Sequence, residues 1–162
     1  MEDRKMKQEI VSVLVQNKAN VLNRVISLYG RRGYNIDSLT VSPTNDPGLS
    51  RITIAFTANE RSNQQIITQT EKLEVVEKVK FLDRENTLYR ELMLLKVNVT
   101  SDQVTQIKEI ADISKAEIVV FNKDNMIIQL TDTPVRIDAF LEIMQEFDVV
   151  EVCRTGVAGL ED

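Results

Sequence analysis

The stretch Glu9-Ile10-Val11-Ser12-Val13-Leu14-Val15, with Leu22, Val25, Ile26 and Tyr29 following a short break, decides the fold. In the first part Ile10, Ser12 and Leu14 alternate with Val11, Val13 and Val15, leaving both faces largely apolar, as a strand inside a covered sheet requires. Gln16 to Asn20 break the pattern. The next four residues recur at i, i+3, i+4 and i+7, one stripe of an amphipathic helix, and Gly33 stops that helix as a glycine just past a helix end does.

Working outward, Ile36 to Val41 and Arg51 to Phe56 read as strands joined by the turn-rich loop Pro43-Thr44-Asn45-Asp46-Pro47-Gly48. A helix is predicted from Ser62 to Leu73, with Ile66, Ile67, Thr70 and Leu73 on one stripe, and Val75 to Leu82 reads as a fourth strand. The order is β-α-β-β-α-β. It then repeats: a strand at Leu92 to Val99, a helix at Asp102 to Ile113, strands at Glu117 to Phe121 and Met126 to Leu130. A helix opens at Thr133-Pro134 and carries Ile137, Phe140, Leu141 and Met144, and the last strand is Val149 to Cys153. The segment Val75-Val76-Glu77 recurs at Val149-Val150-Glu151, and the polar Asp83 to Thr87 separates the halves.

Two copies of a split βαβ pattern define an α+β protein of two tandem ferredoxin-like βαββαβ domains, 1–82 and 83–162. The expected strand order is 4-1-3-2 with helices on one face. The other face needs a cover, and Val11, Val13 and Val15 are the residues expected to form an apolar patch there. A partner chain is the simplest cover. At 162 residues the two halves are small, and small domains bury a low fraction of their surface, which also favours oligomerisation.

Composition excludes more than it suggests. The net charge of −5 argues against nucleic acid, which draws affinity from Lys and Arg. Gly30-Arg31-Arg32-Gly33, the nearest thing to a basic run, fits a helix end whose negative pole favours cations. The single Cys153 permits no internal disulfide and lies in an apolar stretch, so a buried thiol is expected. No apolar run approaches the ~18 residues of a membrane span, and Met1 to Glu9 is too polar for a signal peptide, so the cytoplasm is the expected location. With no histidine, neither a Ser-His-Asp nor a Cys-His nucleophile can be assembled, nor a His-ligated metal site. No glycine-rich phosphate loop is present. Neither catalytic residues nor a bound metal is expected.

The βαββαβ pattern hosts RNA-binding modules, metallochaperones, small enzymes and amino-acid-binding ACT domains. The strand Ser50-Arg51-Ile52-Thr53-Ile54-Ala55-Phe56 lacks the aromatic platform of an RNA-recognition motif. One cysteine cannot make a metallochaperone's thiol pair, and the acidic residues are spread along helix surfaces and loops. A binding or regulatory module remains.

Four stretches make that specific: Ser12 to Asn17 running into Val21-Leu22-Asn23-Arg24-Val25; Arg32-Gly33-Tyr34-Asn35-Ile36-Asp37-Ser38-Leu39-Thr40-Val41; Arg90 to Val97; and Arg154-Thr155-Gly156-Val157-Ala158-Gly159-Leu160. Over nearly its whole length the chain resembles the small, regulatory subunit of acetolactate (acetohydroxyacid) synthase. The resemblance implies that the first half is an ACT domain and that two chains pair into a homodimer through it. It also implies that the chain holds no chemistry or cofactor of its own. The partner is then the large catalytic subunit, which uses thiamine diphosphate, Mg²⁺ and FAD to condense pyruvate with a 2-oxo acid, and binding raises that subunit's activity. In many members valine binds between the paired ACT domains and reverses the gain. A free-standing ACT sensor acting on another enzyme is the alternative.

The effector residues implied are Val15, Asn17, Asn20, Val21, Leu22, Asn35 and Ile36. The loop Asn17 to Asn20 opens a helix whose free N–H groups suit a carboxylate. The Asn35 amide can accept from an ammonium and donate to a carboxylate, and in the family it comes from the partner chain. Val15, Leu22 and Ile36 offer an apolar wall, with Thr40 and Ser42 further along the second strand. Plainer roles stand beside these: Asn35 as a turn residue, Asn17 bonding its loop, Leu22 in the core, Arg24 and Arg51 as surface or interface ion-pair partners. The chain departs from the family's N-x-x-G-x-L pattern at Asn20, where glycine would take φ > 0 without a side chain. Asn is the next best residue for that conformation; the other role for Asn20 is to cap the helix. Weakened valine inhibition is the expectation, with leucine or isoleucine as further ligands.

Overall fold

In the computed structural model residues 6–162 are described; Met1 to Lys5 of the polar N-terminus lie outside the described residues. The elements run β1 (Lys7–Gln16), α1 (Val21–Arg31), β2 (Asn35–Pro43), β3 (Leu49–Ala58), α2 (Glu60–Glu71) and β4 (Val76–Phe81). They repeat as β5 (Thr87–Asn98), α3 (Val104–Ser114), β6 (Glu117–Phe121), β7 (Asn125–Asp132), α4 (Pro134–Met144) and β8 (Asp148–Arg154), with a short β9 (Ala158–Glu161) at the end. The antiparallel sheets are ordered β2-β3-β1-β4 and β6-β7-β5-β8, the expected 4-1-3-2 order in each.

The chain divides into one unit of residues 1–88 with 156–162, and a second of residues 89–155. This differs from a boundary after residue 82. The supposed linker is held within the first unit, the Asp162 N–H donating to the Asn86 carbonyl at 2.8 Å and the Arg84 guanidinium to the Gln8 carbonyl at 3.4 Å. The strand β5 begins at Thr87 rather than at Leu92. The strand β9 has no apolar alternation to announce it.

In the first unit Val11, Val13 and Val15 pack with Val21, Val25 and Tyr29 of α1, Ile66 and Ile67 of α2, and Ile52, Ile54 and Phe56 of β3. They form the helix-covered face, not the open one. The open face carries Ser12, whose row across the sheet is Thr40–Thr53–Ser12–Lys80. The chain's own tail follows that row. Thr40 Oγ1 donates to the Val157 carbonyl at 3.2 Å on the β2 edge, and Glu161 pairs with Lys80 on the β4 edge. Val157 is 1% exposed, as is Ser12. A cover expected from a partner chain is thus supplied in part internally.

Helix ends follow their sequence signals. Gly33, at φ +75, terminates α1, with Gly33 N–H on the Gly30 carbonyl and Tyr34 N–H on the Tyr29 carbonyl, each at 3.1 Å, the bond pair of a Schellman motif. The end of α3 makes the same two bonds, Lys115 to Asp112 and Ala116 to Ala111, but with Lys115 at φ 59. Lys115→Gly is expected to raise stability by about 0.5–1 kcal/mol, because the left-handed conformation is strained for any side chain with a Cβ. A urea-denaturation midpoint unchanged or lowered in this variant would contradict that account.

Tyr29 is fully buried among Phe56 and Tyr34 rings, and its hydroxyl has no hydrogen-bond partner of good geometry among the described residues. Burial pushes the phenol up to about 12 from 10.0, with the Thr70 hydroxyl pulling weakly the other way. The pKa is raised on folding, so its contribution to stability is complete below pH 10.0 and is lost as pH rises towards 12. Tyr29→Phe is expected to flatten that alkaline loss and, by removing an unsatisfied buried hydroxyl, to cost no more than about 1 kcal/mol at neutral pH.

The second unit packs Met93, Leu95 and Val97 of β5 against Met126, Ile128, Leu130, Ile107 of α3 and Ile137, Phe140 and Met144 of α4. Thr133 caps α4, its hydroxyl accepting from Arg136 N–H, with Pro134 in the first turn. Cys153, expected to be buried, is exposed. It lies on the edge strand β8 opposite Leu94, and the alternation that sends Met93 and Leu95 inward sends this row outward.

Candidate effector-binding site

The corner between β1 and α1 gathers Val15, Asn17, Asn20, Val21 and Leu22. Val15 and Val21 are buried, Leu22 is half-buried against the core, and Asn17 and Asn20 are exposed. Asn20 precedes α1 at φ 66, ψ 0, and its side chain makes no capping bond. The position therefore does demand the left-handed conformation that a glycine supplies most easily, and capping is not what Asn20 does. The first bond closing the helix is Arg24 N–H to the Asn20 carbonyl at 3.2 Å, so the N–H groups of Val21, Leu22 and Asn23 have no intrahelical acceptor. Together with the buried valines this offers an anion-receptive end beside an apolar surface.

Asn17 is tied to the loop between β2 and β3. Its side chain donates to the Pro47 carbonyl at 3.2 Å and its N–H to the Gly48 carbonyl at 2.9 Å. The loop-bonding role is therefore present, and it uses the amide nitrogen of Asn17 rather than its oxygen. Asn20 also borders an open depression of about 510 Å³ lined by Asn23, Arg24, Ser27, Arg31 and Leu73. None of Val15, Val21, Leu22, Asn35 or Ile36 lines it.

Asn35 and Ile36 begin β2, beyond the far end of α1. Asn35 is exposed and pairs with Thr57; Ile36 is half-buried and packs on the core. Val15 pairs with Ser50 at the other end of β3. From Ser50 to Thr57 the strand rises about 23 Å at ~3.3 Å per residue. Within one protomer the two halves of the expected site are not brought together. Thr40 holds the Val157 carbonyl, while Ser42 is exposed near the end of β2.

Of the two arginines, Arg51 donates to the Ser12 hydroxyl rather than to a carboxylate, and no ion pair involves Arg24 among the described residues. The ion-pair cluster that does exist was not legible from the chain. Arg154 Nε and Nη2 reach the two Glu91 oxygens at 2.8 and 3.1 Å, and Nη1 reaches Asp138 at 2.6 Å. The Glu91 bonds, offset in part by desolvation, hold the guanidinium protonated above its ordinary range. Glu91 and Arg154 lie 63 residues apart, and only strand pairing makes them neighbours.

Comparison with known proteins matches residues 90–162 to the family described as small subunit of acetolactate synthase, and residues 11–78 to the AHAS small subunit-like ACT domain. The acetolactate synthase isozyme 3 small subunit of Escherichia coli is 39% identical over 154 residues, 94% of each chain. The acetolactate synthase small subunit of Buchnera aphidicola from Schizaphis graminum is 37% identical over 94% of this chain and 98% of its own. The crystal structure of the Thermotoga maritima acetolactate synthase small subunit superimposes with a TM-score of 0.86 at 34% identity, covering 96% of this chain and 98% of that one. With an N-terminal ACT domain, a second βαββαβ unit and relatives matched over 94% of its length, this chain belongs to the acetolactate synthase small-subunit family.

Proposed function

We propose that the chain activates a thiamine-diphosphate-dependent acetolactate synthase catalytic subunit, in branched-chain amino-acid biosynthesis, and carries a weakened valine-responsive site. The thiamine diphosphate, Mg²⁺ and FAD of the reaction belong to that catalytic partner. The carrying observation is the split site: an uncapped helix mouth at Asn20 and an exposed asparagine at the opposite end of the outer strand β2. Two β2 strands laid antiparallel about a two-fold axis would put Asn35 of the partner subunit beside Pro43. Pro43 pairs with Ser50, and Ser50 with Val15, so the Asn17 mouth and the partner's Asn35 would face one ligand. The carboxylate of valine would meet the helix N–H groups, and its isopropyl group Val15 and Leu22.

Asn20 has the conformation the loop needs, but its side chain adds atoms at the mouth. Coupling between effector and active sites is commonly about 1–3 kcal/mol, so an intrusion of that size removes most of the inhibition. Mixing the chain with a catalytic subunit is expected to raise acetolactate formation, while the chain alone forms none. Valine is expected to inhibit the mixture only weakly, and Asn20→Gly to strengthen inhibition by about tenfold or more. Strong inhibition of the unaltered mixture at sub-millimolar valine would remove the role given to Asn20. No rise in rate on mixing would remove the activating role.

A further inference from the structure

The residue after Ile36 breaks the pairing of β2 with β3. Asn35 faces Thr57, Ile36 faces Phe56 and Ser38 faces Ala55, leaving Asp37 as the extra residue of a β-bulge. Freed from the ladder, its carboxylate collects donors from three strands: the Thr57 hydroxyl at 2.8 Å, the Gln8 amide at 3.1 Å and, at a long 3.5 Å, the Asn35 amide nitrogen. A carboxylate only accepts, so Asn35 turns its NH₂ towards Asp37 and leaves its carbonyl oxygen outward. All of these donors are neutral, and no cation pairs with Asp37 among the described residues. The result is an exposed carbonyl oxygen beside an unneutralised carboxylate, a match for a small cation with several donors.

Resting on the amino-acid effector reading above, we propose that Asp37 is a positioning residue. It orients Asn35 and sets the charge there, so that the site takes an α-ammonium and rejects the 2-oxo acid bearing the same side chain. That discrimination matters physically because a carboxylate at the helix mouth and an isopropyl group on the apolar wall are common to both compounds. Only the ammonium separates them, and charge-assisted bonds are the stronger kind.

The test is calorimetric titration of the full chain with L-valine and, separately, with 3-methyl-2-oxobutanoate, in the unaltered and Asn20→Gly backgrounds. Valine is expected to bind at least about tenfold more tightly than the oxo acid. Asp37→Asn should weaken valine by about tenfold while leaving the oxo acid unchanged or tighter, and Asp37→Glu should restore much of the preference. An unchanged valine-to-oxo-acid ratio in Asp37→Asn, with valine still bound, would overturn the role of Asp37 alone and leave it a pin for the strand end. No valine binding in either background would overturn both this inference and the effector reading beneath it.

Discussion

Arg154→Ala is expected to cost the second unit about 3–5 kcal/mol, the usual consequence of leaving a buried charge unpaired. Glu91 is 5% exposed and has both oxygens on Arg154. Arg154 ends β8, Glu91 lies on β5 and Asp138 on α4, so one side chain ties two strands and a helix together. A unit of this size holds roughly 0.05–0.15 kcal/mol per residue, making the loss comparable with its entire stability. Two controls separate charge burial from lost packing. Asp138→Ala should cost under about 1 kcal/mol, since Asp138 is 64% exposed. The double variant Glu91→Leu with Arg154→Met should recover most of the loss, because an apolar pair of similar volume leaves no charge stranded. Urea denaturation followed by amide exchange in β5 and β8 reads all three. A loss below about 1 kcal/mol for Arg154→Ala would show that Glu91 finds water or simply takes up a proton.

Gly156→Ala is expected to free the tail from the first unit, at a cost of about 2 kcal/mol or more. Two penalties coincide. Gly156 has φ +87, where side chains are strained, and an added Cβ would lie 3.2 Å from Thr40 Cγ2 and 3.3 Å from Ser38 Cβ, with the Leu39 nitrogen at 3.5 Å. Two of these neighbours are fixed by the sheet and cannot swing away. Loss of the tail would uncover the row through Ser12 and Thr53, so hydrogen exchange should accelerate at the Asp162 amide, now bonded to Asn86. The milder Thr40→Val removes only the hydroxyl bonded to Val157 and should cost about 1 kcal/mol. Equal exchange at Asp162 in Gly156→Ala and the unaltered chain would show that the tail is held elsewhere.

Both variants act where the chain could not be read in advance. Local signals served well: Gly33 ends α1, Thr133-Pro134 opens α4, and the two periodicities place the helices and most strands within a few residues. They worked because caps and stripes are contacts between near neighbours, whose spacing is written in the chain. The alternation in β1 shows two apolar faces but not which one the helices cover, and the structure places Val11, Val13 and Val15 on the covered face. A thiol in an apolar stretch likewise proved exposed, because Cys153 sits on an edge strand with its row turned outward.

For the candidate site, the resemblance carried by Ser12 to Val25 and by Arg32 to Val41 named the residues, and the backbone at Asn20 took the conformation that the missing glycine implied. What the pattern could not supply was distance. Asn17 and Asn35 lie at opposite ends of one sheet, and the bulge that brings Asp37 to Asn35, Thr57 and Gln8 leaves no trace in hydrophobic periodicity.

The sequence by itself determined the α+β class, the repeated βαββαβ order, the exclusion of histidine chemistry and the family. The first three depend on residue type and short-range spacing alone, and the family on the resemblance of four stretches to known small subunits. Only the tertiary structure decided which sheet face is open, that the last seven residues return to the first unit, and that Glu91 meets Arg154. Those are contacts between residues far apart in the chain, and they exist only after the strands have paired in register.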